Sequence, residues 1–314
     1  MSKTNQPEKP LVDRIKNLIS QQTDVGIVDG YFSPGSEDPA VHYVGIGPNA
    51  EFICQVNPKR DPANRALLKT GKKGCFLCEE NMPDEEEGIW LDKFWKLYPN
   101  PRPYEKNHTV MVLTKNETNH HFQIIDNKKK VVRALDTIWQ IGYEENRTDF
   151  NLTFNSINAG SSSRHFHYQI FECHLPILNY PIDFVDKDNV SIGIVEDYPA
   201  AVMVIEGADK KAVCEKVWYA IDKLNSYWMD FIPYVLSFTV INDKIRVYIF
   251  PRAAERPSDA DSNLINTVFG ICEMSGMLIV YSDEMAKTIS LDKFRESLKV
   301  TSNFEVLKGL RDMI

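Results

Sequence analysis

His165-Phe166-His167-Tyr168-Gln169 is the stretch on which the reading of this chain turns. In an extended strand, alternate side chains share a face. Positions 165, 167 and 169 then project two imidazoles and a carboxamide together, while Phe166 and Tyr168 turn the other way into a core. Inward-facing groups of this kind need partners, so the row marks either a solvated sheet face or a site. The residues before it favour a site. Asn155, Ser156, Ala159, Gly160 and Ser162 put amide and hydroxyl donors beside the His strand. A turn of small residues also lets backbone N–H groups approach an anion closely.

Working outward, residues 150–157 alternate as a strand, and 158–163 form the small-residue turn that leads into the strand over 165–172. Val131, Val132, Leu135, Ile138, Trp139 and Gly142 fall at helical spacing and predict an amphipathic helix over 128–143. Upstream, strands are expected over 42–46 and 51–56 around a Gly47-Pro48-Asn49 hairpin, and again over 89–97 and 108–114. Downstream, a helix over 210–229 precedes a hairpin, 234–242 and 244–250, that turns at Asn242-Asp243. A strand over 278–281 and a helix over 291–298 close the chain. Strand, helix, strand, strand recurs in each half, which implies two related α+β units. The expected division is a lead-in over 1–40 with one helix over 11–20, a catalytic unit over 41–190 and a second unit over 191–314. Asp183, Asp186, Asp188 and Glu196 crowd the polar stretch around the boundary.

The length of 314 residues agrees with about two domains. Hydrophobic residues make up 43% and charged residues 25%, the balance of a soluble globular protein. No apolar run nears the ~18 residues that cross a bilayer, and the polar first residues lack the apolar core of a signal peptide. A cytoplasmic protein with no membrane partner is expected. The net charge of −8 argues against binding a nucleic-acid backbone, which takes an extended basic face. It leaves room for a nucleotide as a small ligand, since a few Arg and Lys in one pocket hold a phosphate whatever the global charge.

Cys75-Phe76-Leu77-Cys78 has the spacing of a zinc half-site, two thiolates on one tight turn. No second pair of this kind exists, so histidine must complete a tetrahedral site, with His120, His121 and His165 as candidates. A redox role is weaker, because the pair does not follow a strand and open a helix. Cys54, Cys173, Cys214 and Cys272 sit in apolar contexts and are expected to pack. His42, His108 and His174 have no constellation around them and read as surface or structural residues.

Taken together these segments resemble the galactose-1-phosphate uridylyltransferase branch of the histidine-triad (HIT) superfamily, and within it the GDP-L-galactose and GDP-D-glucose phosphorylases. Three stretches carry the resemblance. Gln55-Val56-Asn57-Pro58-Lys59-Arg60 looks like that group's Q-x-N-x-x-R strand end. Asn155-Ser156-Ile157-Asn158-Ala159, at its distance from His165-Phe166-His167-Tyr168-Gln169, matches N-S-x-x-A followed by H-x-H-x-Q. Glu273-Met274-Ser275-Gly276 and the apolar run after it resemble the E-x-S-G strand. The cysteine pair looks instead like the zinc pair of the uridylyltransferases, and fits an uncharacterised bacterial branch with Cys-Phe-Leu-Cys.

The resemblance implies an α+β fold of two HIT-like units, each an antiparallel sheet with packed helices, forming an intramolecular pseudo-dimer. It implies His167 as nucleophile and Gln169 as the residue that stabilises phosphoryl oxygens. Asn57, Asn155, Ser161 and Ser162 would bind substrate. From the residues alone, Arg60, Arg164, Arg252 and Arg256 are candidates to complete the anion site, Arg60 and Arg252 first, since each ends a strand-like run beside a proline. A structural zinc would be held by Cys75, Cys78, His165 and His120, with His121 nearly as good a fit; iron uses the same donors. The reaction implied is cleavage of an NDP-hexose, GDP-hexose first, through a nucleotidyl-histidine. Inorganic phosphate or another phosphate-bearing acceptor then gives hexose 1-phosphate and NDP. Diadenosine tetraphosphate phosphorolysis, uridylyl transfer to a hexose 1-phosphate and nucleotide hydrolysis use the same chemistry. A non-catalytic nucleotide-binding protein and a zinc-stabilised interaction module are the readings from other classes. The uridylyltransferases are dimers, so a homodimer is a further implied partner.

Overall fold

The computed structural model describes residues 9–28, 40–44, 52–58, 74–117, 120–226, 230–258, 261 and 263–313. The expected hairpin turn at Gly47-Pro48-Asn49 and the candidate Arg60 lie outside them. The chain opens with α1 (Leu11–Asp24), then β1 (Ala40–Val44) and β2 (Phe52–Val56). The first unit follows as β3 (Ile89–Trp90), β4 (Trp95–Pro99), β5 (Lys106–Leu113), α2 (Lys128–Trp139), β6 (Phe150–Asn155) and β7 (His167–Glu172). The second runs β8 (Ile182–Lys187), β9 (Val190–Val195), β10 (Met203–Gly207), α3 (Lys210–Asn225), β11 (Tyr234–Ile241) and β12 (Lys244–Pro251). The chain ends with α4 (Ile271–Met274), β13 (Met277–Val280), α5 (Asp283–Lys287), α6 (Leu291–Thr301) and α7 (Phe304–Met313).

Ten strands form one sheet in the order β3-β4-β5-β7-β6-β11-β12-β10-β9-β8, and every pairing in it is antiparallel. The order is a palindrome about the β6–β11 pair. From the centre outward, β6, β7, β5, β4 and β3 mirror β11, β12, β10, β9 and β8. Each half carries one long helix between its third and fourth strands, α2 and α3. The molecule is therefore two like units joined edge to edge: the two related units that the repeated element order implied, in the pseudo-dimer that the resemblance implied.

The two faces of the sheet are covered differently, and strand alternation assigns each residue to one of them. Phe166, Tyr168, Ile170, Phe150, Leu152, Phe154, Leu236 and Phe238 pack toward α2 and α3. There α2 buries Val131, Leu135 and Ile138 of the expected stripe, with Ala134 beside them, while Val132 faces solvent. Burying each of Val131, Leu135 and Ile138 contributes about 1.5–3 kcal/mol. The opposite face is covered in part by a three-stranded sheet, β1-β2-β13, in which β13 runs parallel to β2. Phe52, Phe171, Tyr248, Phe250, Phe269 and Phe294 fill that second core.

Local chemistry explains where elements differ from expectation. The stretch expected as one strand over 89–97 is a hairpin, β3 and β4. Asp92 Oδ1 accepts from the N–H groups of Phe94 (2.7 Å) and Trp95 (3.0 Å) and turns the chain. The polar stretch around 183–196 is the hairpin β8–β9, turning at Asp188-Asn189 with φ of 52° and 65°. It spans residue 190 and forms the outer edge of the second unit. Its aspartates belong to an exposed edge strand, where charge protects against further pairing. The turn at Asn242-Asp243 has both residues at positive φ, 50° and 59°, as a two-residue hairpin demands. α1 continues to Asp24 and packs Leu11, Val12 and Ile15 into the first unit's core.

Candidate active site and metal centre

The His strand begins where β6 and β7 part. Their pairing runs from Phe150–Glu172 to Thr153–Gln169, and beyond it the chains diverge around the turn at 156–166. Residues 120–125 enter the gap. The His120 carbonyl accepts from Phe166 N–H (2.6 Å), and the Gln123 carbonyl accepts from Ile157 N–H (3.2 Å). The Gln123 side chain, fully buried, bridges the two strand ends. Its Oε1 accepts from His167 N–H at 2.8 Å, and its Nε2 donates to the carbonyls of Asn155 and His167 at 3.0 Å each.

His167 is 5% exposed. Its Nδ1 lies 2.8 Å from the His165 carbonyl oxygen, an acceptor, so Nδ1 carries the proton and Nε2 keeps its lone pair. Nε2 has no hydrogen-bond partner among the described residues. Burial lowers the pKa of this imidazole, against the pull of the carbonyl, so the ring is neutral near pH 7. Two residues on and sharing that face, Gln169 is held by its carbonyl end. Oε1 accepts from the Tyr104 hydroxyl at 3.0 Å and lies 2.9 Å from His108 Nε2. Its amide nitrogen has no hydrogen-bond partner among the described residues.

His165 is turned the other way chemically. Its Nε2 donates to the Leu113 carbonyl (2.7 Å), and its Nδ1 stands 3.5 Å from both Cys75 Sγ and Cys78 Sγ. His121 Nε2 is 2.9 Å from Cys78 Sγ. The four donor atoms lie within 4.8 Å of one another. Metal–sulfur and metal–nitrogen bonds of about 2.3 and 2.0 Å give a tetrahedral edge of about 3.5 Å, which the His165 separations match. The Cys2His2 set can therefore hold a metal ion. Burial, then the neighbouring Cys75, pushes the Cys78 thiol up to about 12, and burial holds His165 at about 4. A bound dication reverses the first of these by stabilising thiolate.

The ligand expected at His120 is corrected to His121. The doublet sits in a turn with its two rings 4.3 Å apart, and only His121 joins the four-donor group, whereas His120 Nδ1 lies 3.0 Å from the Glu117 carbonyl oxygen. Arg252 is also corrected. Its guanidinium is buried and donates to the carbonyls of Thr301, Phe269, Ala254 and Glu255. It clips α6 to the segment before α4 and has no donor pointed at the His strand. Asn155 lends its Oδ1 to the Ile271 N–H (2.9 Å), tying the strand end to α4. Asn57 is buried, donates to the Pro103 carbonyl (3.4 Å), and leaves its Oδ1 without a partner among the described residues. Pro103 adjoins Tyr104, so Asn57 stands on the Gln169 side of the site. Ser161 Oγ donates to the Ser163 carbonyl (2.7 Å), and Ser163 Oγ accepts from His165 N–H (3.0 Å), which tightens the turn. Ser162 and Arg164 are exposed on the rim of an open cavity of about 460 Å³, shared with Cys75, Phe76, His121 and His165.

Two members of the site were not expected from sequence. His108 carries no motif, yet it is buried against Gln169. Gln123 sits in a polar stretch with no periodicity, and only tertiary structure reveals it. All seven histidines of the chain precede residue 175, so the second unit has no counterpart of His167.

A family model described as a domain of unknown function, DUF4922, matches residues 45–172, the stretch from before β2 to the end of β7. No curated protein matches the sequence. Among solved structures, yeast Ap4A phosphorylase Apa2 aligns with a TM-score of 0.67 at 14% identity, covering 94% of this chain and 98% of that one. The same yeast enzyme in complex with Ap4A aligns at 0.65 and 14%, covering 95% and 98%. The likeness runs over nearly the full length of both chains and is one of fold: this chain has the two-unit architecture seen in the yeast enzyme.

Proposed function

We propose that this protein is a nucleotidyl-transferring phosphorylase that works through a nucleotide bound covalently to His167. The observation that carries the reading is the state of that imidazole: neutral, its Nδ1–H held by the His165 carbonyl, its Nε2 free. Such a nitrogen is a competent nucleophile near neutral pH. Nε2 attacks the α-phosphorus of a nucleoside diphosphate sugar, forming the N–P bond as the bond to the sugar-phosphate oxygen breaks. Hexose 1-phosphate leaves. Inorganic phosphate then attacks the same phosphorus, the N–P bond breaks, NDP departs and His167 returns to its neutral form. The Nδ1 proton stays on the ring throughout and bonds the carbonyl more strongly while the ring carries the nucleotide.

Charge in each transition state spreads over the non-bridging phosphoryl oxygens, so donors aimed there matter most. Gln169 offers its amide end. Ser162 offers its hydroxyl, Ser161 and the rest of the 158–163 turn offer backbone N–H groups, and Asn57, Asn155 and Arg60 are assigned to the nucleotide. Zinc held by Cys75, Cys78, His121 and His165 would be four-coordinate and closed, pinning the His strand to the cysteine turn. It takes no part in bond making.

The motif resemblance favours a GDP-hexose as substrate. A second reading, a dinucleoside tetraphosphate in its place, is favoured by the match to yeast Ap4A phosphorylase over nearly the full length of both chains. Purified protein given phosphate and, in turn, GDP-glucose, ADP-glucose, UDP-glucose and Ap4A decides between them. Phosphate-dependent release of a nucleoside diphosphate from one of these, lost in His167→Ala, supports the proposal and names the substrate. Turnover that survives His167→Ala counts against it.

A further inference from the structure

We infer that Gln123 is a positioning residue for the His167 nucleophile, and that its carboxamide acts as a peptide unit inserted between the parted ends of β6 and β7. The inference rests on the nucleotidyl-histidine reading. Antiparallel pairing would continue from Thr153–Gln169 to a pair at Asn155 and His167, but no such backbone pair forms. The Gln123 carboxamide occupies that gap instead. One oxygen accepts from His167 N–H, and one nitrogen donates to the carbonyls of His167 and Asn155. Both polar groups of the His167 backbone are thereby held by a single planar amide on a different segment of chain.

The arrangement has a chemical consequence. The His167 ring is oriented by a bond to the His165 carbonyl, only two residues back along the same chain. That short loop of backbone fixes the ring only if the backbone itself is fixed at both residues. His165 is fixed by its Nε2 bond to Leu113 and by the thiol cluster. His167 lies past the last β6–β7 backbone pair, and Gln123 substitutes for the missing partner. Gln123 also sits two residues after His121, so the segment that feeds the metal centre is the one that sets the nucleophile. The parting of the strands is what opens the 156–166 turn toward a phosphate. A directly paired strand end would close it, and an end unpaired on the β6 side would leave His167 flanked by β5 alone, opposite Val112. The amide bridge gives an open turn and a fixed nucleophile together.

The test uses Gln123→Met, which keeps the length and most of the volume and removes all three bonds. The predicted result is a kcat lower by about 10- to 100-fold with KM changed by less than about threefold, the mark of a misplaced reacting group. Metal content should be unchanged. Nitrogen-15 spectra of the His167 ring should pass from a single Nδ1–H tautomer in the wild type to a mixture of tautomers in the variant. An unchanged tautomer and kcat would overturn the inference, and so would a loss of activity that tracks loss of metal and melting temperature alone. If Gln123→Met does not fold, Gln123→Glu, which keeps the acceptor for His167 N–H, is read the same way. The ring spectra need no substrate, so they judge the positioning role even if the wild type turns over none of the nucleotides supplied. That second result would count against the phosphorylase reading and not against this one.

Discussion

His165 and His167 share a sequence motif and a strand, yet the bonds at their far nitrogens give them opposite roles. His165 spends Nε2 on the Leu113 carbonyl and presents Nδ1 to the thiols; His167 spends Nδ1 on the His165 carbonyl and presents Nε2 to the open turn. Under the proposed function, tautomer choice by a backbone carbonyl is the step that separates a metal ligand from a nucleophile. The same reasoning separates His121 from His120. His121→Ala is expected to abolish stoichiometric metal, measured by elemental analysis, and to lower the melting temperature by about 5 °C or more. His120→Ala should keep the metal, because its backbone carbonyl, not its ring, holds Phe166. The cysteine pair and the row His165, His167 and Gln169 were legible as groups because short spacing and alternation bring their members together, and His121 was already a named candidate beside His120. His108 and Gln123 were not, since neither sits in a motif and each meets its partner across a long sequence separation. Arg252 misled for a related reason. A cation beside a proline at a strand end suits an anion site and a buried carbonyl clip equally, and only the contacts tell them apart.

Among the elements, the turn between β6 and β7 is fastened at both ends. Gln123 holds its base, and Gly160 holds its tip. Gly160 has φ of +88°, and a Cβ there would stand 2.8 Å from the Gly270 Cα, so the turn and the segment before α4 touch backbone to backbone. Gly160→Ala is therefore expected to destabilise the fold by about 1–3 kcal/mol, read as a lower denaturation midpoint. The bond from Gly160 N–H to Glu255 Oε1 (3.0 Å) would be strained in the same variant. α2, β6, the β11–β12 hairpin and α6 were legible from apolar spacing and turn residues. β10 and the parallel pairing of β13 with β2 were not. The first is a short buried run without alternation, and the second joins segments more than two hundred residues apart. The β8–β9 hairpin did carry period-two alternation and an Asp-Asn turn. Its charge suggested a boundary, and edge strands are where charge and strand coexist.

At the scale of the whole molecule, one ten-stranded sheet serves two units, and the second contains no histidine. The second supplies closure: α4 receives Asn155, Arg252 clips α6, and β13 completes the small sheet over the site face. Among the described residues no helix is long and apolar enough to cross a membrane. Stability should depend on pH through a group far from the chemistry. Burial raises Glu86 to about 7, above its unfolded value of about 4.3. A raised carboxyl favours folding most below the unfolded value and costs stability as pH climbs through the folded one. Glu86→Gln should therefore raise the unfolding free energy by about 2 kcal/mol at pH 8 and change it little at pH 4, as denaturant titrations at the two pH values would show.

The central claim is that a nucleotide becomes bonded to His167 Nε2. Its most direct test is to mix the protein with Ap4A or a nucleotide sugar in the absence of phosphate, quench at neutral to alkaline pH, digest, and weigh the peptide that contains His167. The account predicts one nucleoside monophosphoryl group on that histidine, absent from His167→Ala and discharged as nucleoside diphosphate when phosphate is added. A substrate that turns over while this peptide stays unmodified, or carries its nucleotide on another residue, would contradict it.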